Sequence, residues 1–315
     1  MHRPRGSVHA RSEGGVVRKL RIPGSVVRRR WAFAYLALAP VLAIYLYLRI
    51  VPISRTFLMS FREWNLISRD RPFVGVDNYL RLFRDEAFLI SLMNTTVIAF
   101  GIVLLSVPAA MFVAALLGRP RRLSAFYETA YFLPVVTSMV PATLAWKWIL
   151  DSGMGPMNQF VGWFGIPPQS WLIDPRMALF SVILLSAWKV LGYNMIIFLV
   201  GIRNIPSTFY EAATIDGAGP LQQFRYITLP MMRPIILFVS VITVIQSYNV
   251  YTQVYVLASD AQGAPGYVVR VLVYDIIENG FRFFQMGYAS AEAMILLAIV
   301  MTLTIIQFVA LRDRT

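Results

Sequence analysis

The sequence contains no cysteine, and its only histidines are His2 and His9. Disulfide bonds, thiol chemistry and histidine-centred metal or general-base sites are therefore excluded from residues 10–315. Charged residues are also scarce, at 14 % of the 315 residues, whereas 57 % are apolar. One soluble core cannot bury that much apolar surface, so lipid must cover much of it. The composition predicts an integral membrane protein.

The formal net charge is +13, and it is unevenly distributed. Nine of the 29 Lys and Arg lie in residues 1–30, where no aromatic residue is interleaved with them. This pattern favours attraction to anionic lipid over nucleic-acid binding. We therefore predict a basic tail over residues 1–30 and a transmembrane domain over residues 31–315.

Six apolar stretches are long enough to cross about 30 Å of hydrocarbon as helices, which takes about 20 residues each. The sequence thus predicts an all-α membrane protein with six transmembrane helices. The predicted spans are Trp31–Val51, Leu89–Leu117, Ala125–Leu150, Met177–Ile202, Pro234–Leu257 and Gly287–Leu311.

The distribution of Lys and Arg in the loops predicts the orientation. One set of segments carries 17 basic residues in 72 positions, and the opposite set carries nine in 92. By the positive-inside rule the denser set is cytoplasmic. Both termini, and the loop over residues 203–233, are then inside the cell.

Prolines and charged residues inside the spans indicate where the helices depart from simple rods. Pro134 and Pro141 both fall in the third predicted span, where neighbouring helices must satisfy the freed carbonyls of a kinked or broken helix. Lys189 lies near the middle of the fourth span, so we expect it to face protein or a wet cavity, with backbone carbonyls as one possible partner. Glu292 falls near a predicted span end, where a long side chain can reach the interface.

The loop between the fourth and fifth spans has the signals of two short helices. Thr208 and Glu211 have the spacing of a capping box, which predicts a helix that begins at Thr208 and stops at Gly217. Gly219 and Pro220 suit the N-cap and first position of a second helix, predicted to end before Pro230.

Helices this short are not stable alone in water, so they need a surface to pack on. One possibility is a groove on another protein, with aromatic anchors from the loop. The other is packing on the chain's own bundle. The candidate anchors are Phe209, Tyr210, Phe224 and Tyr226.

The same loop resembles the EAA loop of binding-protein-dependent ABC importer permeases. Its fixed positions in this sequence are Glu211, Ala212, Ala213, Gly217, Ile227, Leu229 and Pro230, and Asp216 matches the sugar-type variant. The segment 73–79, Asn94-Thr95, and Trp188-Lys189 followed by Gly201 are similar to the maltose and glycerol-3-phosphate permeases.

The resemblance implies a type I ABC importer permease fold in a bacterial or archaeal inner membrane. It implies a second permease subunit as a heterodimer partner, two cytoplasmic ATPase subunits and an extracytoplasmic solute-binding protein. The EAA loop would be the coupling helix that sits on the ATPase. The chain itself would be non-catalytic and hold no cofactor or metal, because ATP and Mg²⁺ bind the ATPase.

Aromatic rings beside amides and hydroxyls in the fourth and fifth spans suit a neutral polyol, since rings stack on C–H surfaces and dipoles replace water. The same groups could instead hold helices together. By resemblance, the substrate-binding candidates are Gly192, Tyr193, Asn194, Gln246, Ser247, Asn249 and Tyr251.

An ion-coupled secondary carrier of a polar solute is the alternative function. Such a carrier would use a mid-membrane carboxylate relay or inverted repeats, and the sequence displays neither. The chain also has no phosphate-binding G-x-x-x-x-G-K-[S/T] loop, so energy from ATP must come through a partner.

Overall fold

A computed structural model of the protein describes residues 24–67, 70–118, 122–258 and 269–312. These residues form helices and connecting segments, with two isolated β-bridges and no β-strand within the described ranges. The chain divides into two compact units, residues 1–54 and 55–315. Most of the predicted basic tail, residues 1–23, lies outside the described residues.

The first unit is helical throughout its described part. Helix α1, Gly24–Tyr45, is followed by a π-helical turn at Leu46–Ile50 and by α2, Val51–Ser60, which extends beyond this unit. The continuous apolar span is Phe33–Ser60, so the predicted end at Val51 is wrong by nine residues. Pro52 does not stop the helix, because the wider turn before it removes the need for its missing amide hydrogen.

The second unit is built on three long helices. They are α4, Glu86–Leu117, α8, Pro175–Arg203, and α15, Met286–Arg312. The most extensive packing joins α4 to α8. It includes Ile98 and Ile102 against Val182 and Leu185, all of them buried.

Two predicted spans are bent rather than continuous. The third consists of α5, Ser124–Val136, and α6, Met139–Ile149, which meet at 101°. Thr137 and Ser138 between them are extended, with ψ of 136° and 146°. The expectation of a broken helix in this span is confirmed, although the break lies at Thr137–Ser138, between Pro134 and Pro141 and not at either of them.

The fifth span is also bent. A helical stretch over Pro220–Met231 meets α12, Arg233–Tyr248, at 69°. The helix ends at Tyr248 and a short α13, Thr252–Ala258, follows, so the predicted end at Leu257 is wrong. Counting each bent pair as one span gives up to six spans by length and composition.

Short helices complete the described part of the chain. They are α3, Asp77–Leu82, α7, Pro156–Gly162, α9, Ser207–Ile215, α10, Pro220–Gln223, α11, Leu229–Met231, and α14, Leu272–Ile277. A second π-helical turn, Phe224–Thr228, joins α10 to α11, and a third, Glu278–Arg282, follows α14.

A buried polar cluster attaches α14 to the start of α4. Arg270 forms ion pairs with Asp275 and, at 3.2 Å, with Glu278. Ser91 on α4 donates a hydrogen bond of 2.9 Å to the Asp275 carboxylate. Because each buried charge has a partner of opposite sign, the cluster fixes the segment before α15 against α4.

Glu292 on α15 is completely buried beside this cluster, so the expectation that it reaches the interface is wrong. Its Oε1 accepts a hydrogen bond of 2.9 Å from the Asn279 amide. One turn earlier, Tyr288 donates a hydrogen bond of 2.6 Å to Asp85. The polar side chains of Tyr288 and Glu292 on α15 therefore point into the protein.

Candidate functional site

Helix α9 forms the first half of the loop between α8 and α12. It begins at Ser207 with Pro206 as N-cap, and no side chain caps its first turn. The predicted capping box is therefore wrong, because Thr208 lies inside the helix. Pro206 can precede the helix since its φ of −57° and ψ of 134° lead the chain in from an extended conformation.

Gly217 ends α9 as predicted. Its φ is +79°, a left-handed conformation that glycine adopts without steric strain. The Gly217 amide donates to the Thr214 carbonyl at 3.1 Å, and the Ala218 amide donates to the Ala213 carbonyl at 2.8 Å. These two bonds form a Schellman motif that turns the chain sharply toward α10.

The second helix begins as predicted but ends later. Gly219 is the N-cap of α10, Pro220 follows it, and the Gln222 side chain accepts the Gly219 amide at 2.8 Å. The helical stretch continues to Met231, so the predicted end before Pro230 is wrong. The π-helical turn that precedes Pro230 accommodates its missing amide hydrogen, as it does at Pro52.

Side-chain hydrogen bonds hold the two halves of the loop together. The Gln223 amide donates to Thr214 Oγ1 at 3.0 Å and to the Ala218 carbonyl at 3.1 Å. The Tyr210 and Thr228 hydroxyls are 2.9 Å apart. The helix–glycine–helix loop is therefore one cross-linked element and not two independent helices.

The loop also contacts the bundle. Phe224 packs against the buried cluster that includes Met232, which lies at the bend between α11 and α12. A Cβ on Gly201 of α8 would lie within 2.9 Å of Met232 Sδ, so α8 approaches Met232 closely. Two of the four predicted anchors, Tyr210 and Phe224, thus face this chain's own helices.

Several large apolar side chains of the loop are exposed. Ile215 is 88 % exposed and Leu221 is 79 % exposed, on either side of Gly217. Phe209 and Tyr226 are also exposed. We call Phe209, Ile215, Leu221 and Tyr226 the loop face. Sequence reasoning missed Ile215 and Leu221, although apolar residues on both sides of a glycine turn were a usable signal.

The EAA positions occupy the same loop. Glu211, Ala212, Asp216 and Leu229 are exposed, Ala213, Ile227 and Pro230 are half-buried, and Gly217 forms the turn between the helices. Small residues at 212 and 213 permit a partner backbone to approach closely.

Lys189 supplies hydrogen-bond donors to the backbone carbonyls at the break in the third span. Its ammonium group donates to the carbonyls of Pro134 and Thr137, with Val135 at 3.4 Å, where α5 ends. The expectation that Lys189 faces protein is confirmed. Because α5 stops at Val136, its last carbonyls lack helical donors, and the lysine supplies them.

We expect Lys189→Met to destabilise the protein by about 1–3 kcal/mol, because the carbonyls at the end of α5 lose their donor. The melting temperature of the purified protein in lipid nanodiscs measures this change. Lys189→Arg keeps a positively charged donor and should retain part of the stability. A Lys189→Met variant with the same melting temperature as the parent would contradict the proposed bonds from Lys189 to α5.

The substrate candidates on α8 differ in their surroundings. A Cβ on Gly192 would overlap the Tyr131 carbonyl oxygen, so α8 touches the backbone of α5 there. The buried Asn194 amide donates to Thr243 at 3.1 Å and approaches Ser106 at 3.5 Å. Tyr193 is exposed between them.

The candidates near the end of α12 also divide into two groups. Ser247 is buried and donates to the Thr243 carbonyl at 2.7 Å. Gln246 and Asn249 are exposed, and the Asn249 amide donates to the Ile245 carbonyl at 2.7 Å. Gln246, Asn249 and Tyr193 are therefore the polar candidates that reach the protein surface.

Three tyrosines meet beyond the end of α12. The Tyr251 ring stacks on Tyr255 with centroids 5.6 Å apart, and its centroid is 6.4 Å from that of Tyr274 on α14. We call Tyr251, Tyr255 and Tyr274 the tyrosine cluster. Burial and, to a smaller extent, the Glu278 carboxylate raise the pKa of the Tyr274 phenol, while Arg282 and Arg270 act in the opposite direction. Sequence reasoning missed Tyr274, because no local pattern relates it to Tyr251.

The described residues contain no group of three His, Cys, Asp or Glu side chains that could hold a metal ion. The features that remain are membrane-length apolar helices, two bent spans, an exposed loop face and uncharged aromatic and amide groups. Together they define a multi-pass membrane protein.

Comparison with known proteins identifies the family. The sequence profile of the "binding-protein-dependent transport system inner membrane component" family matches residues 106–314. The chain belongs to this family. It is a permease subunit of a binding-protein-dependent ABC importer, as the EAA loop predicted.

Two relatives and one solved structure show the extent of the similarity. The "probable ABC transporter permease protein YurN" of Bacillus subtilis is 34 % identical over 286 residues, covering 90 % of this chain and 97 % of the relative. The sn-glycerol-3-phosphate transport system permease protein UgpA of Shigella flexneri is 30 % identical over 285 residues. The alignment covers 90 % of this chain and 95 % of that relative. A bacterial alginate-importing ABC transporter has a chain with the same fold, at a TM-score of 0.79, 22 % identity and coverage of 93 % and 99 %. The predicted permease fold is confirmed.

Proposed function

We propose that this chain is a permease subunit of a sugar or sugar-derivative importer and that it forms half of the translocation pathway. The observation that carries the proposal is the uncharged tyrosine cluster beside the end of α12. Neutral aromatic faces with phenol and amide groups suit a polyol, which needs stacking and hydrogen bonds but no ion pair. The arabinooligosaccharide permease AraP of Bacillus subtilis, 29 % identical over 277 residues, supports this substrate class.

Among the substrate candidates, Tyr193, Gln246 and Tyr251 would contact the solute most directly, together with Asn249. Gly192, Asn194 and Ser247 are buried and would shape the wall behind these side chains. Tyr274 joins the set because its ring lies beside Tyr251.

The proposed partners are a second, related permease subunit, two cytoplasmic ATPases and an extracytoplasmic solute-binding protein. The loop face would enter a groove on one ATPase, which binds the ATP and Mg²⁺ that this chain does not. The residues proposed to couple hydrolysis to the spans are Glu211, Ala212, Ala213, Asp216, Gly217, Ile227, Leu229 and Pro230. The family's binding-protein dependence favours this importer over an ion-coupled carrier.

Reconstitution of the complete transporter tests the proposal. The chain is co-expressed with the permease, ATPase and solute-binding proteins encoded beside it, and ATP hydrolysis is measured in proteoliposomes. Arabinooligosaccharides, sn-glycerol 3-phosphate and an amino acid serve as probes. We expect hydrolysis and uptake to rise with a sugar-class probe only when the binding protein is present. Stimulation by the amino acid alone would overturn the substrate class, and uptake by this chain alone with an ion gradient would overturn the mechanism.

We also propose that both termini and the 203–233 loop are cytoplasmic. Because the chain has no cysteine, Ser207→Cys and Ser170→Cys each introduce a single labelling site at an exposed position. In spheroplasts, an impermeant maleimide should label Cys at 170, and it should label Cys at 207 only after permeabilisation. The reverse pattern would contradict the orientation.

A further inference from the structure

The segment between α6 and α8 has an unusual composition. Residues 152–173 contain no Asp, Glu, Lys or Arg, and Asp151 and Asp174 lie immediately outside them. Within this stretch are α7 and two tryptophans. We call residues 152–173 the aromatic elbow.

The aromatic elbow is held in a defined conformation by Asn158. The Asn158 amide donates to the carbonyls of Ser152 and Gln169 at 3.0 and 3.1 Å. Its Oδ1 accepts from the Gln169 amide at 3.0 Å and from the Trp171 indole at 2.7 Å. The Trp171 carbonyl in turn accepts a bond of 2.9 Å from Ser181 on α8. One buried tryptophan thus ties the elbow to the fourth span.

The other aromatic side chains of the elbow point away from the protein. Trp163 is 81 % exposed and Phe164 is 70 % exposed. Phe160 contacts both rings edge-on, at centroid distances of 5.9 and 5.4 Å. A fixed, uncharged scaffold therefore presents three grouped aromatic rings outward, which is costly if only water covers them.

The position of the elbow indicates what could cover these rings. It connects Ile149, where the third candidate span ends, to Pro175, where the fourth begins, so a bilayer crossed by both spans would have its surface near both ends of the elbow. Trp148, on the last turn of the third span, is also exposed. Tryptophan at a span end is typical of the lipid–water interface, and the elbow's rings continue this apolar surface.

We propose that the aromatic elbow is a lipid-anchoring site whose Phe160, Trp163 and Phe164 rings insert into the interfacial region of the bilayer. The absence of charge specifies the ligand: glycerol-backbone and acyl-chain groups of any phospholipid, with no requirement for an anionic headgroup. The anchor holds the end of the broken third span at a fixed depth while other helices move.

Site-directed spin labelling of the assembled transporter tests the anchor. Trp163→Cys is labelled with a nitroxide in nanodiscs of phosphatidylcholine, with cysteines removed from the partner chains. Ser170→Cys, on the same segment, is the matched control. We expect the ratio of oxygen to water-soluble nickel accessibility to be several-fold higher at 163 than at 170, both at rest and with ATP and the loaded binding protein. Adding phosphatidylglycerol should leave the depth unchanged.

Two results would overturn the proposal. A ratio at 163 as low as that of a water-exposed site would place the elbow in water, and exclusion of both colliders at 163 would mean that a protein partner covers the rings. If Trp163→Cys does not assemble, Phe164→Cys is read by the same criteria. Retained solute-stimulated ATP hydrolysis in Ser170→Cys shows that labelling leaves the transporter intact.

Discussion

Ile215→Lys should strongly weaken the association of this chain with the proposed ATPase partner while leaving the chain folded. Ile215 is 88 % exposed at the end of α9, so the substitution removes no contact within the protein. Lysine also suits the C-terminal end of a helix, where positive charge is favourable. In a groove on the ATPase, however, an unpaired charge costs several kcal/mol, and each 1.4 kcal/mol corresponds to a tenfold weaker complex. We expect at least a tenfold loss of co-purified ATPase and of transport.

The matched control for this experiment is Ile67→Lys. Ile67 is exposed on a segment far from the loop in sequence, and the chemical change is the same. The control should retain ATPase and transport, which shows that an added lysine is tolerated elsewhere. Parent-level ATPase association in Ile215→Lys would remove the loop face from the coupling surface.

Gly192→Ala should prevent normal assembly of the bundle. Alanine in the middle of a helix is ordinarily about 1 kcal/mol more favourable than glycine. Here the new methyl group would overlap the Tyr131 carbonyl, which is backbone and cannot rotate away. Helices α5 and α8 would have to separate, and overpacking of this kind costs about 1–3 kcal/mol or more. We expect a large fall in melting temperature and in the yield of assembled transporter.

Gly162→Ala provides the comparison for that variant. Gly162 is also helical, in α7, and a Cβ there would meet no atom within 4 Å. This variant should be as stable as the parent or slightly more so. If Gly192→Ala behaved like Gly162→Ala, the close approach of α8 to Tyr131 would be wrong.

The sequence predicted the loop best at positions where a single residue determines the local backbone conformation. The positive φ of Gly217 and the start of α10 at Gly219-Pro220 follow from backbone sterics alone. The roles of Tyr210 and Phe224 could not be read locally, because Tyr210 bonds to Thr228 in the other half of the loop and Phe224 packs on a cluster built from helices far away in the sequence.

Prolines produced the clearest errors in the helix ends. The second loop helix was predicted to end before Pro230, yet a π-helical turn ends two residues earlier and the helix continues, as it also does at Pro52. Such a turn accommodates one more residue than an α-helical turn. Whether it forms depends on tertiary packing, which composition does not reveal. At Thr137–Ser138, by contrast, the helix breaks and Lys189 supplies the missing donors.

The surroundings of charged residues in the spans were predicted correctly for Lys189 but not for Glu292. Lys189 faced protein as expected from its position in the middle of a span. Glu292 did not reach the interface, because Asn279 on a separate segment hydrogen-bonds it from within the bundle. Hydropathy along the sequence does not show which side chains pair when two neighbouring segments fold against each other.

The close contact between Met232 and Gly201 has a consequence for how movement spreads. Met232 sits at the corner where the cross-linked loop enters α12, and it also presses on α8. Any shift of that corner is therefore shared between the helix that ends beside Gln246 and the helix that carries Tyr193. The Met232 side chain, together with Ile235, would transmit that shift to both helices, so that movement of the loop displaces two neighbouring helices at once.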